Sequence, residues 1–140
     1  MITQVTVFLE NEKGRLADLC RTVADAGVNM SALSIADTAE YGLVRIVCSN
    51  ANTAVEALDK AGFRAIKTPV EAIAINDVAG GLAKLVEIFD NAGVNVPYAY
   101  CFAGKDAQAI GVFKLSETDS VAVAAAIAEA GFTILKADEI

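Results

Sequence analysis

A chain of 140 residues that is 55% hydrophobic can bury a sizeable core. Its formal charge of -7, from 11 Lys plus Arg against 18 Asp plus Glu, denies it the basic surface that nucleic acid or an anionic membrane rewards. No apolar run approaches the ~18 residues of a membrane helix, and Glu10 and Lys13 come too early for a secretory signal, so a cytoplasmic protein with neither partner is expected.

In chain order, Val5, Val7 and Leu9 alternate with Gln4, Thr6 and Phe8, which predicts a strand. The polar turn Glu10 to Gly14 then opens a helix with the stripe Leu16, Leu19, Cys20 and Val23, closed by Gly27. Val28 to Ala36 and Leu43 to Cys48 read as two strands joined around Asp37 to Gly42. Asn50 or Asn52 caps a helix with the stripe Ala54, Val55 and Leu58, closed by Gly62, and Phe63 to Lys67 is a last strand. Pro69 marks a join.

The order then recurs. Glu71 to Ile75 is a strand, Leu82, Leu85, Val86 and Phe89 mark a helix, and Asn95 to Ala103 and Ala109 to Leu115 are strands. Val121, Ala124, Ile127 and Ala128 mark the last helix, and Phe132 to Ala137 the last strand. The recurrence is also literal: Gly14, Leu16 and Leu19 return 66 residues later as Gly80, Leu82 and Leu85, and Ala26-Gly27-Val28-Asn29 returns as Ala92-Gly93-Val94-Asn95. A repeat this long, with a full βαββαβ set in each copy, means two similar domains, 1–68 and 69–140. The expected fold class is α+β: two ferredoxin-like sandwiches in tandem, antiparallel sheets with helices on one face, side by side as an eight-stranded sheet.

The run Glu10-Asn11-Glu12-Lys13-Gly14-Arg15-Leu16, followed by Ala26-Gly27-Val28-Asn29-Met30 on this order of elements, resembles an ACT domain, the amino-acid-sensing module of many biosynthetic enzymes. The second copy is similar through Gly80, Leu82, Gly93, Val94 and Asn95, so the resemblance covers essentially the whole chain. It implies a regulatory protein that binds an amino acid where two ACT units meet. The ligand would lie between the first-helix loop of one unit, with Asn11, Glu12, Lys13, Gly14, Arg15 and Leu16, and the strand start Asn29 and Met30 of its neighbour. The matching set in the second copy is Asp77, Ala79, Gly80, Gly81 and Leu82 with Asn95 and Val96.

Those residue types suit the chemistry: unpaired backbone N–H groups at a helix start favour a carboxylate, and an amide side chain serves both ends of a zwitterion. Asp77 and Gly81 replace Asn11 and Arg15, leaving the second loop an acceptor without a compensating cation; unequal sites are expected, with the ligand's carboxylate at the Gly14 loop. Structural readings stand beside the functional ones. Asn29 and Asn95 could serve only turn backbone, Gly14 and Gly80 only the turn, and Arg15 only an exposed helix start.

Tyr98, Tyr100 and Phe102 share one face of a strand, away from the helices, and are expected either to line a ligand pocket or, the favoured reading, to be covered by a partner subunit in a homodimer. Cys20, Cys48 and Cys101 are far apart and odd in number, and read as small apolar fillers with no disulfide framework or metal knuckle. With no His there is no imidazole base and no ordinary zinc site, so neither catalysis nor a cofactor is expected. The alternative reading is a protein-interaction module without its own ligand, or a regulatory-subunit-like partner of acetolactate synthase or another amino-acid metabolic enzyme.

Overall fold

The computed structural model describes residues 1–37, 41–105 and 108–140. Its elements are β1 (Ile2–Glu10), α1 (Arg15–Asp25), β2 (Met30–Asp37), β3 (Tyr41–Cys48), α2 (Ala51–Lys60) and β4 (Arg64–Asn76), then α3 (Gly81–Asn91), β5 (Ala99–Ala103), β6 (Gln108–Phe113), α4 (Glu117–Glu129) and β7 (Thr133–Ile134), with a final 3-10 turn at Ala137–Glu139. The chain divides into two compact units, Thr3–Thr68 and Pro69–Ile140, the latter also holding Met1–Ile2. The turn expected around Asp37 to Gly42 falls on residues 38–40, outside the described residues.

In the Thr3–Thr68 unit the strand order is β2-β3-β1-β4, with antiparallel registers that set Leu33 opposite Ile46 and Val7 opposite Val44. Val5, Val7 and Leu9 of β1 turn the same way as Val44 and Ile46 and form one core with Leu19 and Val23 of α1, Ala54 and Leu58 of α2, and Phe63. The strand period of two and the helix spacing of three to four therefore meet on one layer, as a two-layer sandwich requires. Leu33 and Ile35 lie on this helix-side face yet are 39% and 46% exposed, because two helices over four strands leave the outer strand uncovered.

The Pro69–Ile140 unit repeats the order as β7-β4-β6-β5. Ile73, Ile75 and Phe113 meet Leu85 and Phe89 of α3 and Val123 and Ile127 of α4, and the rings of Phe89 and Phe113 stand edge to face at 5.1 Å. Glu71 is buried on the same face; Ser120 of α4 donates a hydrogen bond to it, and the Met1 α-ammonium lies 3.2 Å from its other oxygen.

Several elements differ from the sequence reading. Phe63 to Lys67 and Glu71 to Ile75 are expected as two strands, but Arg64–Asn76 is one uninterrupted strand of 13 residues, so seven strands are present among the described residues and not eight. Proline fixes a φ that extended backbone tolerates and biases the residue before it away from the helix, and Thr68 and Val70 are β-branched, so Pro69 continues the strand where a join was expected. Proline acts the other way at Pro97: Asn95 to Tyr98 stay outside β5, which starts at Ala99. The last strand shrinks to Thr133–Ile134 because the Glu139 carboxylate accepts the Lys136 N–H and draws the chain into a 3-10 turn.

Helix faces also shift. Leu16, Leu82 and Val86 are exposed, leaving Leu19 and Val23, or Leu85 and Phe89, as the buried stripe. On α4 the buried residues are Ser120, Val123 and Ile127, whereas Val121 is 78% exposed: alanine on every side hides the stripe, and the bond from Ser120 to Glu71 fixes the rotation. Cys101 is exposed; only Cys20 and Cys48 pack against a core. Tyr98, Tyr100 and Phe102 turn away from the helices, with Tyr100 opposite Val112 and Phe102 opposite Ile110, but each is half-buried, so the row is not bare.

Candidate functional site

The turn that ends β1 and starts α1 is built from backbone bonds. Glu12 N–H donates to the Glu10 carbonyl, Arg15 N–H to Glu12 and Asp18 N–H to Gly14. The same three bonds recur 66 residues on, from Val78 to Asn76, Gly81 to Val78 and Lys84 to Gly80. Gly14 and Gly80 sit at φ 88° and 85°, left-handed values that side chains resist, and neither helix has a side-chain cap. The Leu16 and Ala17 amides therefore have no helical carbonyl, and the same holds for Leu82 and Ala83.

Beside the first turn lies a groove of about 300 Å³, lined by Leu9, Glu10, Asn11, Glu12, Leu16, Ile35 and Gly42. Of the residues that line it, Asn11, Glu12 and Leu16 are among those expected at a ligand site, whereas Leu9, Glu10, Ile35 and Gly42 are not. Ile35 is on the helix-side face of β2, and the outer position of that strand exposes it. Gly42 stands opposite Leu9 in the β1–β3 register, a relation between strands that alternation alone does not give. Lys13 is exposed and does not line the groove.

Arg15 turns elsewhere. Its guanidinium lies 4.2 Å from the centroid of the Phe63 ring, so the groove holds two carboxylates and no guanidinium. Arg15 therefore does not line this groove, and the helix-start amides are the carboxylate donors nearest to it. Asn29 and Met30 lie at the other end of the sheet: Met30 pairs with Cys48 whereas the groove's Gly42 pairs with Leu9, a separation along β3 of about 20 Å at roughly 3.3 Å per residue. The Asn29 backbone is tied to Ser49 in both directions, N–H to hydroxyl at 3.1 Å and carbonyl from N–H at 2.9 Å, and its side chain is exposed.

The second turn is tighter. A Cβ on Gly81 would lie 2.3 Å from the Asn76 carbonyl oxygen, so glycine here is demanded by chain contact, with no appeal to a ligand. The adjoining cavity is about 150 Å³ and includes Gly81 with Asn76, Val78, Lys84, Gln108 and Phe132 in its lining. Asp77, Ala79, Gly80 and Leu82 are exposed outside it, as are Asn95 and the half-buried Val96. Lys84 supplies a cation to this side, which the loop residues alone do not suggest; it stands three residues beyond Gly81, on the same helix face.

Solved structures share the fold. Protein BT0572 from Bacteroides thetaiotaomicron is similar at 32% identity and a TM-score of 0.88, over 99% of this chain and 94% of that one. The ligand-free regulatory subunit of aspartate kinase from Thermus thermophilus superposes at a TM-score of 0.67 with 18% identity, covering 89% of each chain. That from Thermus flavus does so at 0.64 with 17% identity, covering 91% of each. Among curated proteins none matches. Two turns built alike, two sandwiches of one strand order and a match of residues 1–134 to the ACT domain pair model agree, and the chain belongs to the ACT domain pair family.

Proposed function

We propose that this is a non-catalytic regulatory protein that binds a free amino acid in the groove beside Gly14. The observation that carries the reading is the lining of that groove. The Leu16 amide, without a helical carbonyl, suits a carboxylate, the Asn11 amide and the Glu12 carboxylate suit an ammonium, and Leu16 and Ile35 offer an apolar wall. A zwitterion with an aliphatic side chain matches all three. The second loop, with its smaller cavity, is the weaker site; Asp77, Ala79, Gly80 and Leu82 take part only if another unit closes over them.

The same holds for Asn29 and Met30 at the start of β2 and for Asn95 and Val96 ahead of β5: they reach a ligand only as the wall supplied by a neighbouring ACT unit. Membership of a regulatory family, and fold neighbours that are regulatory subunits of aspartate kinase, support a metabolic enzyme as the partner that senses the ligand. The exposed Leu33 and Ile35 support a homodimer. For the sensing to work, ligand affinity must differ between two states of the assembly.

Isothermal titration with the twenty amino acids is the test. Saturable binding of an aliphatic amino acid, weakened about tenfold or more by Asn11→Ala, is expected. Silence from all twenty with the fold intact would leave the interaction-module reading in its place.

A further inference from the structure

Apart from the groove, the Thr3–Thr68 unit carries a cavity of about 400 Å³ lined by Phe8, Glu10, Arg15, Tyr41, Phe63 and Arg64. Both of its arginines are stacked: Arg15 over Phe63 at 4.2 Å and Arg64 over Phe8 at 4.9 Å from the ring centroids. A ring beneath a guanidinium fixes its plane and leaves the N–H groups at its edge pointing sideways, the directions that a carboxylate or phosphate uses in a bidentate pair.

Nothing among the described residues consumes those donors. Glu10 is the one lining carboxylate there, and its oxygen stands 4.0 Å from Arg15 Nε, beyond hydrogen-bond reach, on a side chain 63% exposed. Arg15 Nε is buried without a hydrogen bond, and Arg64 has no ion pair. Two guanidiniums against one loosely held carboxylate make a positive spot on a chain whose formal charge is -7, which repels anions elsewhere.

We propose that this cavity binds a small dianionic oxyanion, a phosphate or a dicarboxylate, gripped by the edges of Arg15 and Arg64. It adjoins the amino-acid groove and shares Glu10 with it, but that groove's lining has no guanidinium. Tyr41 forms a wall beside the ligand; with Glu10 the lining carries one net positive charge, and the preference for a dianion comes from its two acceptor edges, one for each fork.

The test follows the arginine Nε–H signals of the full chain by NMR during titration with inorganic phosphate and, separately, succinate, against sodium chloride at matched ionic strength. Saturable shifts of Arg15 and Arg64 with either dianion, and none with chloride, are expected. Arg64→Gln, at an exposed position, should weaken binding about tenfold or more with unchanged circular dichroism, and Arg15→Lys, which keeps the charge and loses the fork, about fivefold. Tighter phosphate binding assigns a phosphate ligand, tighter succinate binding a dicarboxylate. Shifts that track ionic strength alone, or saturable binding indifferent to Arg64→Gln, overturn the proposal. Amino-acid titration of Arg64→Gln reads the groove independently, so either site can fail without the other.

Discussion

Glu71 shows what one residue costs when its charge leaves water. It is 4% exposed, and burial of a carboxylate is unfavourable unless it is paired and hydrogen-bonded; Ser120 and the Met1 ammonium supply both. Ser120→Ala should therefore lower stability by about 1–3 kcal/mol in urea denaturation, more than removal of an exposed serine hydroxyl. The thiols give a pH dependence of known sign. Burial pushes Cys48 up, partly opposed by a backbone hydrogen bond from Asn50, and burial pushes Cys101 up although the residue as a whole is exposed. The folded chain thus holds these protons more tightly than the unfolded one. Stability from this source is full below the ordinary thiol range and is lost as pH rises through it toward the raised folded values. Iodoacetamide should label native Cys101 more slowly than the unfolded chain at neutral pH, with the two rates converging in alkali.

Elements were legible where one physical signal decided them. The stripes of Leu19 with Val23 and of Leu85 with Phe89 follow from spacing, and Asn50 caps α2 by accepting the Thr53 N–H at 3.1 Å, leaving Asn52 to accept from Lys67 at 2.9 Å. Where two signals competed, the sequence could not rank them. Pro69 and Pro97 are the same residue type, but one lies inside β4 and the other ahead of β5. The turn glycines permit a comparison. Gly14→Ala meets open space and pays only for its left-handed φ, about 1 kcal/mol, whereas Gly81→Ala drives a methyl into the Asn76 carbonyl and should cost clearly more. Equal melting temperatures for the two variants would contradict that ranking.

For the molecule as a whole, duplication was the most readable property, since the offset of 66 seen in residue types reappears in three hydrogen bonds of each turn. The candidate site was only half readable. Asn11, Glu12 and Leu16 come to the groove by local chain geometry, but Glu10, Ile35 and Gly42 reach it through the β1–β3–β2 register, and Arg15 leaves it for an aromatic ring 48 residues further along the chain. Contacts of that range are not written in periodicity. They are the reason the loop motif names only part of the groove's lining.

The placement of Met1 and Ile2 also bears on how such a chain can be taken apart. The two residues that begin it belong with the later half, where the first of them neutralises Glu71. A cut between Thr68 and Pro69 would sever β4 in mid-course and part Glu71 from its counter-ion, so the later half made alone should be less stable than the same residues within the whole chain.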